Sequence, residues 1–256
     1  MKKKIALVAG CSHIAGAEID GDMDSAYNRT NSFGSLLGKK IGYEPLNIAI
    51  NGSANTGIAR SILRWFDENY DPLSMDVFVV VGWTESLRIE IPAEDRPADY
   101  HSGNSYIHWY DSSANSFYRV NFGWEGSSAY EKAMVPKIHQ FMAENQLVLG
   151  NWAASCILQI QYFLKSINVP YVMCSTMHIF QPREHFTSYL VNLIDETHYH
   201  NLRTGQDGSF YWKYRNLGYK NPKAKYWHHD EEPHQLYADE LYNFIRENKC
   251  LDGLET

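Results

Sequence analysis

The chain has 256 residues and a mass of 29.5 kDa, with 44% hydrophobic and 21% charged residues, which suits one large globular domain. Its 23 Lys and Arg against 30 Asp and Glu give a formal charge of −7. No basic stripe follows the opening Met1-Lys2-Lys3-Lys4, so nothing offers the electrostatic footprint of a nucleic-acid partner. The apolar run after that start is too short for a secretory leader, and no window nears the roughly 18 apolar residues of a membrane span. Cys11, Cys156, Cys174 and Cys250 form no C-x-x-C pair, which reads as reduced thiols. A cytoplasmic protein with no membrane partner is expected.

In chain order, the run IALVA at 5–9 reads as a strand, SFGSLLGKKIG at 32–42 as a helix, LNIAI at 46–50 as a strand and NTGIARSILRWFDENY at 55–70 as a helix. VFVVV at 77–81 is a third strand. After it, 91 to about 135 is polar, Gly/Ser/Asn-rich and aromatic without a sustained period, and reads as an irregular insertion. A helix at 151–168, a strand at 169–173 with Pro170 at its start, a second irregular stretch at 181–227 and a final helix at 233–248 complete the chain. The strands are continuously apolar rather than alternating, as strands covered on both faces are. This rhythm predicts a doubly wound, mainly parallel α/β sheet flanked by helices, in a single domain over 1–256.

The carboxyl ends of parallel strands share one edge, so whatever follows each run converges there. Those exits read Gly10-Cys11-Ser12-His13, Asn51-Gly52-Ser53-Ala54-Asn55 and Gly82-Trp83-Thr84-Glu85-Ser86. His228-His229-Asp230-Glu231-Glu232-Pro233-His234 leads into the last helix. Each has a plain structural account as well. A serine at a strand exit commonly caps a helix, an Asn-Gly pair marks a turn, and a threonine can cap locally. A metal site built from His228, His229, Asp230 and His234 lacks the i, i+4 pairing of a helical histidine motif.

Taken together, the four exits resemble the sequence blocks of the SGNH (GDSL-like) hydrolase superfamily, in a form similar to divergent members encoded by bacteriophages. Gly10-Cys11-Ser12 stands at the G-D-S block, Asn47 to Ala54 at the block that carries the glycine, Gly82-Trp83-Thr84-Glu85 at G-x-N-D, and Lys225-Tyr226-Trp227-His228 at D-x-x-H. The resemblance implies a three-layer, flavodoxin-like α/β fold. It also implies a serine esterase or deacetylase that needs no cofactor or metal and acts on a small-molecule or glycan ester, including an acetylated carbohydrate. Ser12 would be the nucleophile and His228 the base, with His229 as a rival for that role. The amides of Ser12 and Gly52 and the hydroxyl of Thr84 would hold the oxyanion, and Asn55, Trp83 and Glu85 would line the substrate.

Three letters depart from the family pattern: Cys11 for Asp, Thr84 for Asn, and Lys225 for the carboxylate that orients the histidine. Either a carboxylate elsewhere, such as Asp230 or Glu85, orients the histidine, or the enzyme is a slow dyad, or the site is catalytically inactive. Two rival readings stand beside the serine hydrolase. Cys11 could be a thiolate nucleophile, although alternation turns it away from a cleft that Ser12 faces. A cleft walled by Trp83, Trp109 and Trp124 could also bind a sugar without turning it over.

Overall fold

The computed structural model describes residues 2–93, 116–120, 129–177, 179–180 and 188–251. The first half carries β1 (Lys3–Gly10), α1 (Ser12–Ala15), α2 (Ala26–Asn31), α3 (Phe33–Lys40), β2 (Glu44–Asn47), α4 (Asn55–Asn69) and β3 (Met75–Trp83). An antiparallel pair, β4 (Ile89–Ala93) with β5 (Ser116–Val120), follows. Then come α5 (Ala129–Glu144), α6 (Gln146–Ser166), β6 (Tyr171–Ser175), α7 (Tyr189–Asn192), β7 (Tyr199–His200), α8 (Phe210–Asn216) and α9 (Glu231–Glu247).

Five strands form one parallel sheet in the order β2-β1-β3-β6-β7, the doubly wound architecture expected from the sequence. Alternation along the central strands builds a core on each face. Ile5, Leu7, Ala9, Val77, Val79, Val81 and Trp83 pack with α4 and α6. Ala6, Val8, Phe78 and Val80 pack with Phe33 and Leu37 of α3 and with Tyr237 and Leu241 of α9. Helix α6 is long and apolar enough by length and composition to cross a membrane, yet 56% of that window is buried inside the protein. It serves as the core helix of one layer.

Several expectations shift in detail. The second strand occupies Glu44–Asn47 rather than 46–50. Beyond it the chain still runs along β1, with the Ile48 and Ile50 amides donating to the Val8 and Gly10 carbonyls at 2.8 and 2.9 Å. The last helix starts at Glu231, with Pro233 in its first turn, where a missing N–H costs nothing. The insertion at 91–135 is not wholly irregular, because β5 and the start of α5 fall in it. Residues 91–93 end β4, and 94–115 and 121–128, including Trp109 and Trp124, lie outside the described residues.

From β1 the chain leaves for β2 on one side and comes back to β3 on the other. The exits of β1 and β3 therefore flank the topological switch point, where open α/β sheets bind ligands. The two strands approach closely there. Gly10 pairs with Gly82, and a Cβ on Gly10 would collide with the Gly82 carbonyl and the Ile14 side chain.

Candidate active site

Ser12 opens α1 immediately beyond β1, with Cys11 as the N-cap residue. The capping position expected of a strand-exit serine thus falls to its neighbour. Ser12 is 6% exposed and its Oγ lies 2.9 Å from Nε2 of His228. On the other side of that ring, Nδ1 lies 2.6 Å from Oε2 of Glu18. A carboxylate can only accept, so Nδ1 carries a proton, which leaves Nε2 as the ring atom able to accept from the serine hydroxyl.

Glu18 is the carboxylate that stands behind the histidine, and the sequence reading did not single it out. Its side chain is 1% exposed and its backbone adopts φ +63°. That conformation is held by its own N–H donating to Asp22 O at 2.7 Å and by the Asn221 amide donating to its carbonyl at 2.7 Å. The carboxylate also accepts the backbone N–H groups of Lys225 at 2.7 Å and Tyr226 at 2.9 and 3.0 Å. Burial pushes its pKa up, but the bonds from His228, Tyr226 and Lys225 outweigh that and hold it below the ordinary glutamate value. It is ionised at neutral pH. Lys225, which stands where the family pattern has the histidine-orienting carboxylate, contributes its backbone N–H to Glu18 instead.

Asp230 and Glu85, the carboxylates expected behind the base, stand elsewhere. Asp230 is the N-cap residue of α9, and its Oδ1 has no hydrogen-bond partner among the described residues. Glu85 pairs with Arg88 at 2.6 Å; burial pushes its carboxyl up, and the Arg88 charge together with the Thr84 hydroxyl brings it below its ordinary value. The histidines separate as well. His229 Nε2 lies 2.9 Å from the Tyr211 carbonyl oxygen, so it bonds to the backbone rather than to Ser12. Nδ1 of His234 accepts the Phe33 N–H at 3.1 Å, at the start of α3. The four residues weighed as metal ligands thus face different partners.

His13, next to Ser12, packs its ring 4.8 Å from that of His228 and 5.2 Å from Tyr211. Burial, then the charge of His228 and of Arg88, hold its pKa well below the ordinary value. It adds no positive charge beside the His228 ring at neutral pH.

Gly52 adopts φ +76° two residues past the Ile50-to-Gly10 hydrogen bond, which brings its turn alongside the β1 exit. Thr84 does not fit the role of oxyanion donor. A hydroxyl has one proton, and that of Thr84 goes to Oε2 of Glu85 at 2.7 Å. Its N–H and C=O are taken by the Asn55 amide at 3.0 and 3.1 Å. Asn55, expected on substrate, thus fixes the 84–85 loop, and Trp83 is fully buried in the core. Glu85 stays partly exposed at the site's edge. Cys11 is fully buried, 3.1 Å from the Thr176 hydroxyl, so it does not face the cleft.

No protein-family model matches the chain, and no curated protein matches it. Among solved structures it is similar to the psychrotrophic esterase EstA from Pseudoalteromonas sp., at 12% identity over 96% of this chain and 98% of that one, with a TM-score of 0.45. It is similar to a carbohydrate esterase family 2 enzyme with its carbohydrate-binding domain from Corynascus thermopiles (Myceliophthora fergusii), at 10% identity over 96% and 67%, with a TM-score of 0.49. It is also similar to a member of the lipolytic G-D-S-L family from Veillonella parvula, at 11% identity over 95% and 96%, with a TM-score of 0.43.

Proposed function

We propose that this chain is a serine hydrolase acting on acyl esters. The observation that carries the reading is the hydrogen-bonded series Ser12 Oγ, His228, Glu18, at 2.9 and 2.6 Å. It has the order of nucleophile, base and orienting acid that acyl transfer needs.

Ser12 Oγ attacks the acyl carbon as its proton passes to His228 Nε2, and Glu18 stabilises the imidazolium. The N–H groups of Ser12 and Gly52 hold the developing oxyanion. The tetrahedral adduct then expels the alcohol oxygen, which takes the proton from His228. Water attacks the acyl-serine as it loses a proton to His228, and the acyl–Oγ bond then breaks with that proton passing to Ser12 Oγ, so the carboxylic acid leaves and the free serine is restored. With the Thr84 hydroxyl committed to Glu85, the oxyanion hole rests on two backbone donors. A missing donor costs about 10²–10³ in turnover, so slow hydrolysis is expected.

A fluorophosphonate probe and turnover of p-nitrophenyl acetate test the reading together. The wild type should label and turn over, and Ser12→Ala should do neither. An unlabelled wild type would move the assignment to a fold that binds an ester or a sugar without cleaving it.

A further inference from the structure

Helix α6 packs one layer of the core, yet it keeps an open edge. Val148, Trp152, Ser155, Gln159 and Tyr162 follow one another at alternating spacings of four and three, which lines them up along one side of a helix. All five are exposed. No charged residue occurs in α6 before Lys165, so the ridge is uncharged along its whole length.

Both flanks of the ridge are apolar. At its start the Phe141 ring of α5 lies 6.4 Å from that of Trp152. On one side runs α7, tied to α6 by the Ser188 hydroxyl donating to Asn151 Oδ1 at 2.6 Å and by Gln161 Nε2 donating to the Leu193 carbonyl at 3.1 Å. It leaves Tyr189 and Leu193 exposed. On the other side, between α4 and α6, lies a groove of about 490 Å³ whose lining includes Ala59, Leu63 and Cys156.

From this surface we infer that α6 pairs with a second copy of this chain, ridge into groove, in a two-fold symmetric dimer. The area is sufficient. Trp152, Tyr162 and Tyr189 are 51, 53 and 72% exposed. At about 150–250 Å² per aromatic side chain, they offer with Phe141, Leu147, Val148 and Leu193 on the order of 700 Å² of apolar residue surface. The largest patch on an ordinary monomer is about 300–600 Å², and a stable interface needs about 800 Å² from each partner. The shape is self-complementary, because a two-fold axis parallel to α6 sets each ridge over the other copy's groove. Charge favours the same face: copies carrying −7 repel one another, and an uncharged ridge is where that repulsion is weakest. A lipid surface would call for a cationic rim. At the edges here Arg60, Arg64 and Lys165 are paired with Glu90, Glu68 and Asp195. The pairing does not depend on the chemistry at Ser12.

Sedimentation equilibrium over a concentration series tests the dimer. The wild type should reach twice the 29.5 kDa of the chain. Trp152→Glu combined with Tyr162→Glu should raise the dimer dissociation constant about a hundredfold or more, because like charges then face each other, with the far-UV circular dichroism unchanged. A wild type that stays monomeric throughout would overturn the inference, and so would a doubly charged variant that dimerises as tightly as the wild type. If that variant does not fold, Ser155→Cys decides. The four native cysteines are buried, so a short bismaleimide should link two copies through the ridge, and absence of the linked product would overturn the pairing. A monomeric wild type that sediments with phosphatidylglycerol vesicles would put a membrane on the ridge and overturn it as well.

Discussion

Glu18 and His228 stand 210 positions apart and meet at 2.6 Å, with both loops folded around the one carboxylate. Glu18→Gln keeps the shape and an acceptor oxygen but removes the charge that stabilises the imidazolium. Loss of an equivalent acid costs about 10⁴ in turnover in the chymotrypsin-type case. Turnover of p-nitrophenyl acetate should fall by about 10²–10⁴ while the far-UV circular dichroism stays unchanged. Glu18→Ala also strands the donors of His228, Lys225 and Tyr226, at about 1–3 kcal/mol for each buried group left unpaired. It should lower the melting temperature much further than Glu18→Gln. Equal activity in Glu18→Gln and the wild type would remove Glu18 from the mechanism.

Stability should fall on mild acidification. Burial holds His13, His229 and His234 below the ordinary histidine value of 6.5, although the bond to the Tyr211 carbonyl and the Asp230 charge oppose it at His229. The unfolded chain therefore binds protons below 6.5 that the folded chain refuses, and stability present above that value is lost as pH drops. Glu18 adds a second loss in the same direction: its folded pKa is depressed, so its contribution is present above 4.5 and disappears as pH falls through the lower folded value. His234 has a structural reason as well, because a protonated Nδ1 cannot accept the Phe33 N–H. The melting temperature should drop by at least about 2–4 °C between pH 7.5 and 5.5, the shift that roughly 1 kcal/mol produces at this size. His234→Asn, which keeps an acceptor and cannot titrate, should flatten part of the slope. A melting temperature constant over that range would contradict the assignment of neutral buried imidazoles.

The adjacent histidines should separate cleanly in kinetics. His228→Ala removes the only imidazole bonded to Ser12 among the described residues, and turnover should fall by about 10³ or more. His229→Gln can keep a donor toward the Tyr211 carbonyl and should retain activity within about tenfold, since general base catalysis contributes about 10²–10⁴ only to the group that moves the proton. A larger loss in His229→Gln than in His228→Ala, measured per folded molecule, would reverse the two roles.

The sheet was readable because each central strand is a closed apolar run, and the exits of β1 and β3 follow from parallel topology. Side-chain alternation along β3 also decides the place of Trp83. Trp83 continues the series Val77, Val79, Val81, and so belongs to the core face rather than to the cleft. Glu18 was not legible. It stands among Asp20, Asp22 and Asp24 and looks like one more charge of a solvated loop. Asp20 does accept the Ser25 hydroxyl and Asp24 does pair with Arg29. Only the tertiary path of residues 221–228 over this loop buries Glu18, and no local spacing encodes that path.

Thr84 gives the sharpest contrast between a family letter and the geometry around it. If its hydroxyl held the oxyanion, Thr84→Val would lower turnover by about 10²–10³. In the structure the hydroxyl donates to Glu85, whose carboxylate also receives Nε of Arg88 at 2.6 Å. The valine keeps the volume and deletes one hydrogen bond to a charged group, a loss of about 1.5–3 kcal/mol. Thr84→Val should therefore melt several degrees lower and retain p-nitrophenyl acetate turnover within about threefold per folded molecule. Its rate of labelling by a fluorophosphonate should stay close to that of the wild type, because the Ser12 and His228 pair is left in place. A hundredfold loss of turnover at unchanged stability would return Thr84 to the oxyanion hole and require its hydroxyl to leave Glu85 when substrate binds.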